Sequence, residues 1–372
     1  MAAPVTDFFA DIPDPRDARG RRHPLDEMLI IAICAVICGA EGYTEIAIFG
    51  QAKLKWFRTI LDLPHGVPSH DTFGRVFAAL DPEAFERCFM AWTTALADAS
   101  EGELLAIDGK TIRRSFDQAS RKAAVHMISA WAHDNRLVFG QLATDAESNE
   151  ITAIPKLLEL LDLHDIIVTI DAIGCQKAIA RQITEQGGEY VLQIKGNQQT
   201  MHEEIKFLFD EAIEHDFSHM KHDACEETTG DHGRIETRRV WVTPEVGWFP
   251  DRAAWAGLRS FACVECSRTV KGQTSVERHY YISSLAGNDA RLMAQVCRGH
   301  WGVENRLHWS LDVSFAEDLC RVRKGHGAEN FSRLRRIALN LLRKETTAKV
   351  GIKAKRLRAG WDHDYLLKIL TS

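Results

Sequence analysis

The chain has no hydrophobic run long enough to span a membrane. Its most apolar helical stretch, Leu29 to Ala40, is about half the length a span needs. The segment Met1 to Pro15 lacks the basic-then-apolar pattern of a secretion signal. The expectation is a cytoplasmic protein with no membrane partner. A disulfide framework is missing too. Nine cysteines, an odd number, are scattered from Cys34 to Cys320, as expected of reduced thiols. The one C-x2-C, Cys263 and Cys266, has no second pair at zinc-finger spacing and lies in a strand-like stretch, Ser260 to Arg268. Two core thiols are expected there, not a zinc site. No internal repeat, low-complexity tract or H-E-x-x-H motif occurs. Net positive charge is also lacking: the formal charge is −6, which on its face disfavours nucleic acid.

The distribution of charge reads differently. Between Arg321 and Arg358 there are thirteen Lys/Arg against two acids, Glu329 and Glu345. Such density is the footprint of a polyanion-binding segment, and equally of a solvated helix face. On the segment from Ala328 to Lys344, helical periodicity sets Phe331, Leu334, Ala338 and Leu341 inward. It predicts that Arg333, Arg336 and Arg343 face solvent, suited to phosphate contacts. A second basic stretch, Arg16 to His23, is an arm for DNA or a self-paired loop.

At 372 residues the chain has room for two or three domains. Leu25–Gly39, Tyr43–Thr59 and Thr72–Leu96 read as helices, with Ser69 or Asp71 as a cap for the third. From Glu103 the pattern changes to three strands, a helix, a strand, a helix and a strand. Asp134-Asn135 is the turn of a hairpin. This is a mixed α/β arrangement. Residues 201–285 break the alternation and read as a β-rich insertion, with a turn at Asp231-His232-Gly233. The expected divisions are an N-terminal helical domain (1–98), a first core part (99–200), the insertion (201–285), a core completion (286–345) and a basic C-terminal tail (346–372).

Two apolar runs each end on an aspartate. Leu104 to Ile107 leads into Asp108-Gly109-Lys110, and Ile166 to Ile170 leads into Asp171. Runs of this kind read as strands buried on both faces, and a carboxylate at the edge of such a strand needs a cation or donor. A right-handed crossover can set the two strands side by side.

The segment His300-Trp301-Gly302-Val303-Glu304-Asn305-Arg306-Leu307-His308-Trp309 offers a third carboxylate. On a helix, His300, Glu304 and His308 share one face, beside an apolar stripe through Val296, Val303, Leu307 and Leu311. Asp312, Glu317 and Asp318 compete for the same role, Glu317 or Asp318 alternatively pairing with Arg321 or Arg323. Three carboxylates suit Mg²⁺ or Mn²⁺, and two such ions are the arrangement that serves phosphodiester chemistry. Lys195 and Asn197, just past a strand end, are candidate phosphate donors.

These residues resemble the DDE transposases of bacterial insertion sequences, in the ISAs-type branch that includes the H-repeat-associated proteins. The likeness runs through Phe9 to Arg16, Pro68 to Val76, Ala106 to Lys110, Thr169 to Ala172, Gln193 to Gln198, Gly233 to Arg238 and His300 to Val313. The resemblance implies an RNase H-like mixed-sheet catalytic core, a β-rich insertion and an N-terminal all-helical domain. It implies a catalytic triad at Asp108, Asp171 and Glu304, binding Mg²⁺ or Mn²⁺. At the positions where the wider superfamily has a Tyr, an Arg and a Lys, this chain has Cys297, His300 and Leu311, with His300 and Arg298 as replacement donors to phosphate. The function implied is metal-dependent cleavage at element ends and strand transfer into target DNA. The protein would work as a homo-oligomer on double-stranded DNA and be nucleoid-associated when bound. A nuclease that never joins and an idle DNA-binding relic are the alternatives.

Overall fold

Strand β1, Leu104–Thr111, is the hinge of the topology. In the computed structural model, which describes residues 5–97, 103–116, 123–144, 150–231 and 234–372, it lies in a sheet of nine strands. The others are β2 His126–Ala132, β3 Leu137–Ala143, β4 Ile167–Ile170, β5 Glu189–Ile194, β6 Asp223–Asp231, β7 Arg234–Thr243, β8 Ser260–Val270 and β9 Gln273–Ser283. Their order is β3-β2-β1-β4-β5-β9-β8-β7-β6. β1, β4 and β5 are parallel, while β2 and β3 form the antiparallel hairpin expected from Asp134-Asn135. Parallel strands need crossovers, and the helices Glu150–Glu159 and Lys177–Glu185 supply them. This is the RNase H-like core, extended on one side by the antiparallel β6–β9 insertion.

The chain separates into two compact units. One comprises Met1–Ala99, Gly109–Ser148 and Glu304–Ser372; the other comprises Ser100–Asp108 and Asn149–Val303. The second unit has β4, β5 and the insertion, with the helix Ala290–Gly302 laid on β4, β6 and β7. Val191, Val240, Val242, Val264, Met293 and Val296 fill the space beneath that helix. The insertion is preceded by a helix, Gln199–Glu214, which buries Met201, Ile205 and Phe209 at four-residue spacing. The expected turn at Asp231-His232-Gly233 falls partly outside the described residues. Cys263 and Cys266 both sit on β8, where residues three apart point to opposite faces, so they share no ligand geometry.

The first unit is built around one helix, Gly327–Lys344, which packs against Leu25–Ile37, His70–Ala79, Pro82–Leu96 and β3. The expected third helix is two: Ser69 caps the first, accepting from the Thr72 N–H. Asp81 caps the second, with Pro82 at its first position. The expected basic tail folds as two helices, Ile352–Trp361 and His363–Leu370, burying Lys355, Arg356, Tyr365 and Leu366. Among the described residues no helix is long and apolar enough to cross a membrane.

Candidate functional site

β1 and β4 pair in parallel with Ile107 opposite Ile170. The next residue on each strand is an aspartate, so Asp108 and Asp171 emerge side by side at the carboxyl edge of the core strands. Both are half-buried. Asp171 turns back to accept the Ile173 N–H at 3.1 Å, starting a short 3-10 turn over Ala172–Gly174. Burial and the negative charge of Glu150 push its carboxyl above the usual range, against the pull of the Ile173 amide and Lys195. An acidic pair held this way is a donor set for a hard cation.

Lys195 and Asn197 follow the end of β5, next to β4 in the sheet. Lys195 is exposed and its charge is felt by Asp171. Asn197 donates its side-chain amide to the Ala172 carbonyl, bracing the turn that follows Asp171. Arg298 is exposed and pairs with Glu227 at 3.2 Å.

Glu304 is exposed and lies in a π-helical turn, Val303–His308, set between the helices Ala290–Gly302 and Trp309–Phe315. The helix Ala290–Gly302 runs through His300 and leads straight into the π turn. Glu304 belongs to the first compact unit and the two aspartates to the second. Among the described residues, no group of three or more His, Cys, Asp or Glu is gathered closely enough to hold a metal.

Two of the expected DNA contacts are corrected, and two more are engaged within the protein. Arg333 and Arg336 do not face solvent: they are 1% and 0% exposed. Arg333 donates to Glu86 at 2.6 Å and Arg336 to Glu317 at 2.9 Å. The helix carrying them is enclosed on all sides, so the positions off its apolar stripe are buried as well. Arg343 donates to the carbonyls of Arg136 and Arg306 and lies over the Trp131 ring. Burial, with Arg136 and Arg306 nearby, pulls its pKa down to about 9. His300 turns inward; burial lowers it to about 4, against the pull of the Thr169 backbone, leaving it neutral near pH 7. The three competing acids each hold a cation: Asp312 binds Lys110, Asp318 binds Lys110 and Arg113, and Glu317 binds Arg335 and Arg336. In the N-terminal arm, Arg16 and Arg21 are paired with Asp14.

Comparison with known proteins decides the family. A model described as the transposase DDE domain matches residues 99–341, and one described as DDE_Tnp_1-associated matches residues 6–93. The chain belongs to the DDE transposase family. Its branch follows from its relatives. "H repeat-associated putative transposase YhhI" of Escherichia coli K12 is 39% identical, over 98% of this chain and 97% of that one. "Putative transposase YncI" of Escherichia coli O157:H7 is 41% identical, over 99% and 94%. A piggyBac transposase, solved in a synaptic complex with hairpin DNA, aligns at 10% identity and a TM-score of 0.45, over all of this chain and 82% of that one. That score leaves the fold argument to the strand order.

Two features of this DDE transposase escape a reading by spacing. Arg238, Arg268 and His279 on the insertion, with Arg298 and Trp301 on the helix beside it, line a cavity of about 310 Å³. The signal was strand parity, which puts Arg238 on the same face as Arg234 and Glu236. The other is Lys110, which the motif Asp108-Gly109-Lys110 displays without showing its partner 202 residues away.

Proposed function

We propose that this transposase cuts DNA at the ends of the element that encodes it and joins the freed 3′-hydroxyl to target DNA, working as a homo-oligomer on double-stranded DNA. The observation that carries the reading is the pair Asp108 and Asp171 at neighbouring carboxyl edges of parallel strands, inside a domain whose family is transposase. Asp108 and Asp171, with Glu304, would hold Mg²⁺ or Mn²⁺, which when bound supplies Lewis-acid activation of water or a hydroxyl and stabilises the leaving oxygen. Lys195 and Arg298, both exposed, fit contacts to the phosphate backbone. Asn197 keeps the turn after Asp171 in place.

The test is Asp108→Asn on duplex DNA carrying the element ends, with Mg²⁺. The expected result is loss of nicking with DNA affinity within about twofold of the parent, since an uncharged isostere removes a metal ligand and leaves phosphate contacts intact. Cleavage at the parental rate refutes the assignment. Joined products from the parent separate a transposase from a nuclease that stops at the cut.

A further inference from the structure

Glu304 sits in the one part of its helix that departs from α geometry, and the surrounding contacts show what the departure accomplishes. In the π-helical turn each residue advances roughly 80° around the axis, against roughly 100° in an α-helix. The steps from Glu304 to His308 and then from His308 to Asp312 therefore add to about two whole turns. An unbroken α-helix would leave Glu304 and Asp312 roughly 80° apart. The π turn instead stacks them on one face.

Asp312 is anchored. Lys110 donates to both its carboxylate oxygens, at 2.7 and 2.8 Å, and lies 3.5 Å from Asp318. The Lys110 side chain is 10% exposed and that of Asp312 35%, so solvent screens the contact from the carboxylate side only. Lys110 stands on β1 two residues after Asp108, and strand parity gives the two residues the same sheet face. The π turn has its own brace: the Arg306 carbonyl accepts from the Arg343 guanidinium at 2.6 Å and from the Ser310 hydroxyl. A π turn weakens the regular amide ladder, and these two donors meet a carbonyl within it.

We propose that Lys110 is a positioning residue: by clamping Asp312 and Asp318, it fixes the rotation of the Glu304-bearing helix about its own axis. This rests on the reading of Glu304 as a member of the catalytic triad. The π turn sets the angular phase and the Lys110–Asp312 pair locks it. A positively charged residue after the first aspartate thus serves the third carboxylate and has no direct contact with DNA.

The experiment compares the parent, Lys110→Met, Asp312→Asn and the charge-exchanged double variant Lys110→Asp/Asp312→Lys, each as the full chain. Hydrogen exchange of peptides covering residues 303–315 is expected to quicken about threefold or more in each single variant and to return towards the parent in the exchanged pair. Exchange unchanged in the single variants overturns the clamp. This readout does not depend on catalysis. On end-containing DNA with Mg²⁺, kcat is expected to fall about tenfold or more in the single variants with KM for DNA nearly unchanged, because misplacement of a catalytic group acts on the chemical step. Single variants that raise KM and spare kcat also overturn the proposal, since Lys110 would then be a DNA contact. If exchange behaves as expected while the parent itself cuts no DNA, the clamp stands and the transposition reading fails.

Discussion

Two arginine-rich regions of this protein use the same side chain in opposite ways. On the helix Gly327–Lys344, Arg333, Arg335 and Arg336 are each no more than 1% exposed and face Glu86 and Glu317. On the insertion and the helix beside it, Arg268 and Arg298 are more than half exposed, around an open cavity with Trp301. The first group bonds the unit together. The second group is solvent-exposed and held only by surface pairs with Glu236 and Glu227. Counted along the chain, the first looks more like a DNA-binding region, yet burial removes it from reach. The two buried acids also differ. Burial pushes Glu86 up despite Arg333, whereas at Glu317 the combined charge of Arg336, Arg335 and Lys110 overcomes burial and brings the carboxyl down.

The sharpest way to break this contrast is Arg336→Met. It leaves buried Glu317 with Arg335 3.8 Å away, the Ser332 hydroxyl and the more distant charge of Lys110, and is expected to cost about 3 kcal/mol of stability in urea unfolding. A loss under about 1 kcal/mol would mean the pair is not desolvated as described. Next in size is the response to acid. Burial lowers His308 to about 3, helped by Arg336 and Lys110, and lowers His300 to about 4. The unfolded chain takes up these protons near 6.5 and the folded chain does not, so stability falls as pH drops below 6.5 and levels out near 3 to 4. At pH 5 each histidine is expected to cost roughly 2 kcal/mol relative to pH 7. Replacing His308 with Gln should flatten the pH dependence of the melting temperature by about half. The smallest stability effect belongs to Arg298→Ala. Its exposed pair with Glu227 is worth at most about 0.5 kcal/mol, while the slope of log affinity for DNA against log salt should fall by about one. If Arg298→Ala destabilised the fold and left the salt slope alone, the two regions would not differ after all.

What could be read from the sequence follows from which patterns carry depth. A short run rich in branched aliphatics such as Ile166 to Ile170, ending on Asp171, favours a buried strand with a polar edge, so the core strands were legible. The helix through Phe331 and Leu341 was legible as a helix. The burial of its arginines was not, because amphipathicity presumes one wet face and this helix is wrapped on every side. Arg343 misled for a similar reason: its partner is the Arg306 carbonyl, and backbone acceptors leave no mark on composition. The phase of Glu304 was hidden too. Spacing by four assumes an α-helix, and nothing in Val303 to His308 announces a π turn except the weak-helix glycines, Gly299 and Gly302, just before it.

The first unit is assembled from three stretches separated along the chain, the last of which includes the helix Gly327–Lys344 at its centre. On the ribosome, the second unit can therefore finish folding while the first still waits for its central helix. A message cut short before residue 327 would release a protein with an intact insertion and an opening helical segment that has nothing to close around. Proteases and chaperones would recognise such a product at once, so truncated copies of this gene would leave little protein behind.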